Sequence, residues 1–151
     1  MKKLFLAVIL FAITVSVVAK KTKQTLLNNV SVSKVTNQHK VVFQVTSEDT
    51  LVHKSLIKQL NNMLTAAPGT KIEVVCHGSG INILVMDKTI VHDKIQQMKN
   101  RGVLFMACEN TLKERNIGKG KIISEARFVP SALIEIITKQ EAGWSYIKDG
   151  F

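Results

Sequence analysis

Gly102-Val103-Leu104-Phe105-Met106-Ala107-Cys108-Glu109-Asn110-Thr111-Leu112 is the stretch on which the fold turns. Five apolar residues follow a glycine without interruption, as in a strand buried on both faces. The change at Cys108 to Glu109, Asn110 and Thr111 ends the strand and starts a short helix, expected over 109–115. Upstream, Ile90, Val91, Ile95 and Met98 share one helical face. Lys99, Arg101 and then Gly102 stop that helix, with basic residues in the last turn and glycine beyond. Farther upstream the pattern repeats. Ile72 to Cys76 reads as a strand, and His77-Gly78-Ser79-Gly80 as its turn. Leu56, Leu60, Met63, Leu64 and Ala67 form one helical face that Pro68-Gly69 ends. Ser47 and Asp49 are its candidate caps, and Val41 to Val45 is the first strand. Downstream, Ala126 to Val129 is a weaker strand and Pro130 suits the first position of a helix. Ala132, Leu133, Ile136 and Ile137 form the apolar face of that helix, and Trp144 to Ile147 alternates as a closing edge strand.

Five strands alternating with helices make an α/β domain with a mainly parallel sheet. Right-handed crossovers then place helices on both faces. Ile81 to Val85 is apolar but too short to assign, and is read as interface rather than core. Lys20 to Gln38 is polar and reads as a tether, so the domain spans 39–151. Neither an internal repeat nor a low-complexity stretch is present.

The chain has 151 residues, 46% of them hydrophobic, which suits one globular domain and excludes wholesale disorder. Met1-Lys2-Lys3 precedes the apolar run Leu4–Val18, and Ala19 follows. This is the order of a secretory signal peptide, expected at 1–19. The alternative is an uncleaved anchor, favoured by Lys20 and Lys21. The cleavage point has no cysteine for a lipoprotein anchor, and no apolar run reaches the ~20 residues of a comfortable membrane span. Without residues 1–19, 19 basic residues face 11 acidic ones, a formal charge of +8. An exported, periplasmic protein meets no chromosome, so the basic surface points away from nucleic acid. It points toward lipid headgroups, acidic partners or small oxyanions.

In parallel sheets, ligands collect beyond the carboxyl ends of the strands. Two segments lie there: Cys76 to Gly80, and Cys108 to Thr111. The candidate residues are Cys108 as the reactive group and His77, Gly78, Asn110 and Thr111 as ligand-binding groups. A thiol opening a helix faces unpaired backbone N–H groups and the positive dipole end, which stabilise thiolate. The competing view of Cys108 is a small buried hydrophobe at a strand end. His77 can hydrogen-bond a thiolate or an anion, or simply a loop carbonyl. Cys76 is expected to be buried. A Cys76–Cys108 disulfide is open if the second and third strands are neighbours. His39, His53 and His92 show no ligand spacing, so no metal and no organic cofactor are expected. Gly78-Ser79-Gly80 lacks the lysine of a P-loop.

These residues resemble the DsrE/DsrF-like family of sulfur-oxidation and sulfur-relay proteins. The resemblance is carried by Val74-Val75-Cys76-His77-Gly78, by Gly102 to Leu112, by Phe128-Val129-Pro130-Ser131-Ala132, and by Gln140-Glu141-Ala142-Gly143-Trp144-Ser145-Tyr146-Ile147. It covers about residues 40–148. It implies a three-layer α/β/α domain assembled as a homo-oligomer, trimer or hexamer. It also implies a cysteine that accepts and passes on persulfide sulfur, which falls on Cys108, with a donor or acceptor protein as partner. The activity so implied is at most that of a sulfurtransferase-like carrier. The alternative is a non-catalytic small-anion or protein-binding module of the same fold.

Overall fold

The structure, a computed structural model, describes residues 38–150. The signal peptide expected at 1–19 and the tether at 20–38, except its last residue, lie outside the described residues. Strands β1 (Lys40–Val45), β2 (Lys71–Cys76), β3 (Leu104–Cys108), β4 (Ala126–Val129) and β5 (Ser145–Asp149) form one sheet. Its order is β4-β3-β2-β1-β5, and every pair is parallel.

Three connections step the chain in one direction, from β1 to β4, and the fourth carries it back past β1. Right-handed crossovers send the first three helices to one face and the last to the other. The burial agrees. On the first face lie α1 (Thr50–Ala66), α2 (His92–Asn100) and α3 (Glu109–Glu114), whose Leu56, Leu60, Ile95 and Leu112 pack on Phe43, Val74 and Phe105. The second face carries α4 (Ala132–Glu141). There Ala132 and Ile136 meet Val42, Val75, Met106 and Cys108. The result is an α/β/α sandwich with a full layer on one side and a single helix on the other.

Two expectations change. Ile81 to Val85 belongs mostly to a 3-10 segment, Gly78–Leu84, and Ile81, Ile83 and Leu84 are fully buried under the first face. The run is core, not interface; each such side chain contributes roughly 1.5–3 kcal/mol by leaving water. Gly80 permits the packing, since a Cβ there would run into the Val45 carbonyl. Pro130 lies one residue outside the cap of α4, which is Ser131. On α4 itself, Ala132 and Ile136 are buried, but Leu133 (57% exposed) and Ile137 (49%) are not, and Ile134 (62%) joins them. The apolar stripe of this helix is wider than the surface it covers.

Candidate functional site

The sheet creates one point where outgoing connections part. After β3 the chain turns to the first face, into α3. After the neighbouring β4 it turns to the second, into α4. The loops that part there flank a crevice beyond the carboxyl ends of the strands, the region where open α/β sheets bind ligands. Cys108, the last residue of β3, is paired with Val129 of β4 and stands in that crevice. The Asn110 amide donates to the Pro130 carbonyl across it, at 3.3 Å.

Cys108 caps α3, but its side chain makes no capping bond there. Its Sγ accepts a hydrogen bond from the Ala132 amide at 3.3 Å. The helix presented to the sulfur is therefore α4, not the expected α3. Strand pleating explains the difference: Cys108 points to the second face, where α4 begins, while α3 folds back over the first. The positive end of a ten-residue helix is better suited to an anionic sulfur than that of the six-residue α3. Ser131, which caps α4, makes no side-chain capping bond, so amides of the first turn remain unclaimed by it. Cys108 is 4% exposed.

Pleating also decides the disulfide. The strands β2 and β3 are neighbours, as bridging requires, but Cys76 pairs with Ala107. Cys108 is one residue on and faces the other way, Cys76 packing in the first-face core and Cys108 against α4. Side chains on opposite faces of a sheet cannot reach each other, and both cysteines are free. Burial pushes the Cys76 thiol far up, and the nearby Asp149 adds to this.

His77 prolongs β2 in extended conformation, and its amide continues the ladder by donating to the Val45 carbonyl. Extending the β2–β3 register by one residue puts His77 beside Cys108 on the second face. The ring reaches the other way, toward β1: its Nε2 lies 2.8 Å from the Gln44 amide nitrogen. Gln44 Oε1 in turn accepts from the Tyr146 hydroxyl of β5. Burial pushes the His77 imidazole below its ordinary range, with Glu114 of α3 acting against this. Gly78 has φ of +55°, a conformation natural to glycine, and its amide donates to Thr111 Oγ1 at 3.1 Å. That bond occupies both groups and clamps the turn after β2 to the first turn of α3. Thr111 is buried, whereas Asn110 is exposed at the rim.

All five expected site residues thus gather at the carboxyl ends of β2 and β3. Gln44 and Tyr146 were missed. They lie 33 and 69 residues from His77 in the chain, and only the placement of β1 and β5 on one flank of β2 unites them. The larger grooves lie elsewhere. One of about 440 Å³ runs between α1 and β5, past Ser55, Gln59 and Asp149. Another, of about 450 Å³, runs between α1 and α2, where Lys54, Lys58 and Lys94 line it. Among the described residues no cluster of three or more His, Cys, Asp or Glu side chains could hold a metal. Nor is any described helix long and apolar enough to cross a membrane.

A model of the DsrE/DsrF-like family matches residues 39–148. Among solved structures, the chain resembles a protein of unknown function from Methanobacterium thermoautotrophicum. The TM-score is 0.70 and the identity 28%, over 73% of this chain and 98% of that one. It also resembles a conserved protein of unknown function from Bacteroides thetaiotaomicron, with a TM-score of 0.57 and 16% identity, over 77% of this chain and 99% of that one. The second likeness concerns the fold alone. No match was found among curated proteins.

Proposed function

This chain belongs to the DsrE/DsrF-like family, and we propose that it is an exported sulfur carrier whose working group is Cys108. One observation carries the reading: the thiol at the carboxyl end of β3 receives a backbone N–H from the start of α4. A thiolate or persulfide anion is stabilised by such a donor and by the dipole behind it. In the step proposed, the Cys108 thiolate attacks the outer sulfur of a donor persulfide, R–S–SH. The donor S–S bond breaks, a new S–S bond forms on Cys108, and R–S⁻ leaves. A partner thiolate reverses the exchange. Each transfer consumes one thiolate and releases one, with no net redox change. The burial of Cys108 supports the second reading, a binding module in which the thiol is only packed. Export rests on the pattern of residues 1–19.

Protein recovered from the periplasmic or secreted fraction and exposed to polysulfide tests all of this in one mass spectrum. The expected species starts at Lys20 and carries one additional sulfur on Cys108. Cys108→Ser abolishes the gain and folds normally, while Cys76 resists alkylation in the folded protein. A wild-type chain that gains no sulfur, or gains it equally as Cys108→Ser, overturns the carrier in favour of the binding module. Intact Met1 in the membrane fraction overturns cleavage.

A further inference from the structure

The site contains a hydrogen-bonded chain that runs across three strands, from Tyr146 on β5 through Gln44 on β1 to His77 at the end of β2. A primary amide has one face that only accepts and one that only donates. The acceptor face of Gln44 is taken by the Tyr146 hydroxyl, and phenols are stronger donors than acceptors. Gln44 therefore presents its N–H to the imidazole, and the ring nitrogen receiving an N–H must have its lone pair free. That nitrogen is Nε2. A neutral imidazole with a bare Nε2 carries its proton on Nδ1. Nδ1 has no partner among the described hydrogen bonds, so this N–H is free to serve a ligand at the rim.

We infer that Gln44 and Tyr146 are positioning residues. They hold His77 as the neutral tautomer protonated at Nδ1, so that it meets the Cys108 site as a hydrogen-bond donor to anionic sulfur and not as a base. The last step rests on the carrier reading; the ring assignment does not. The position fits the proposed chemistry. A donor at the rim stabilises a persulfide or an attacking polysulfide anion, and a neutral ring does so without changing the charge of the site across neutral pH. The surroundings act in the same sense. Burial opposes the imidazolium, and Glu114 of α3 is the acidic group working the other way. The Ala132 amide serves the thiol directly.

The alternative arrangement is well defined. If the Gln44 amide flips, its oxygen faces Nε2, which must then be protonated, giving the other tautomer or the imidazolium. Gln44→Glu enforces that state, because a carboxylate can only accept. Tyr146→Phe permits it by releasing the amide.

Long-range proton–nitrogen correlation spectra of the labelled full chain report both tautomer and titration for each of its four histidines. His77→Asn assigns the resonance. The wild type is expected to show bare Nε2 and protonated Nδ1 at neutral pH, with a titration midpoint below the ordinary histidine range. Gln44→Glu should protonate Nε2 and move the midpoint above that range. Tyr146→Phe should move it upward by less. Protonated Nε2 in the wild type, or a tautomer indifferent to Gln44→Glu, overturns the inference. Sulfur uptake from polysulfide reads the use made of the ring. Above its raised midpoint, where the ring is neutral and Nδ1 bare, Gln44→Glu should slow it about tenfold, the effect of losing one hydrogen bond to a charged group, and the loss should reverse at lower pH, where the imidazolium carries both protons. Uptake unchanged in Gln44→Glu overturns the donor role while the carrier stands. No uptake in the wild type overturns the carrier, and with it that role, whatever the spectrum shows.

Discussion

Among single residues, Asp149 is the one whose environment conflicts most plainly with its charge. It closes β5 at 3% exposure. One carboxylate oxygen accepts from the Gln59 side chain at 3.2 Å, and the other is buried without a partner. His53 is also buried. Its Nε2 donates to the Ser47 carbonyl at 2.9 Å, and its Nδ1 is likewise buried without a partner. Burial raises the Asp149 carboxyl above its ordinary range, with the Gln59 bond and the His53 charge opposing. The sign follows from linkage. A folded-state pKa above the unfolded value means the folded state binds more protons in the window between them. Stability from this group is thus complete below the unfolded value and lost as pH rises through the folded one. Asp149→Asn cannot ionise and brings an N–H₂ to the empty side. It should melt above the wild type on the alkaline side of that window, by of order 1 kcal/mol or several degrees. On the acid side the advantage should vanish. Parallel melting curves at every pH would show that Asp149 ionises normally.

Among the elements, α4 is the one whose composition exceeds its local task. It touches the second face through Ala132 and Ile136. Lys139 anchors its last turn on the fully buried Glu73 at 2.6 Å and lies over the Trp144 ring. That leaves Leu133, Ile134 and Ile137 facing outward, with Tyr146 (40% exposed) on the same side of the sheet. Contiguous apolar surface on one helix marks an association site, and we propose that copies of this chain meet there, as the family resemblance implies. A Leu133→Glu, Ile137→Glu variant should sediment as a monomer where the wild type does not. Its stability should change by less than about 0.5 kcal/mol, since neither side chain is buried in the protomer. A wild type that is already monomeric at micromolar concentration refutes the assembly.

At the scale of the whole molecule, the architecture was legible because buried parallel strands announce themselves as near-continuous apolar runs. Val41 to Val45, Ile72 to Cys76 and Val103 to Ala107 were all found within a residue or so of their observed limits. Ile81 to Val85 was not, because a 3-10 segment this short shows too few turns for a period to be detected. The site was legible where chemistry and chain position coincide, as at Cys108 and His77. It was illegible where pairing distant in sequence supplies the partner: Ala132 for the sulfur, Gln44 and Tyr146 for the imidazole. Strand order has a further consequence, for the route by which the chain folds. Three of the four ladders join strands consecutive in sequence, whereas β5 pairs with β1 between residues such as Val41 and Ser145. Closing a loop of about a hundred residues is entropically the costliest contact and tends to form late. Tyr146 arrives with that strand, so the hydrogen-bonded chain to His77 is completed only at the final docking event. In pulse-labelled hydrogen exchange during refolding, the amides of β5 should gain protection after those of β2 and β3; simultaneous protection would contradict this order. Until β5 docks, the Cys108 thiol already has the Ala132 amide of α4, while the Gln44 side chain that faces His77 still lacks the Tyr146 hydroxyl.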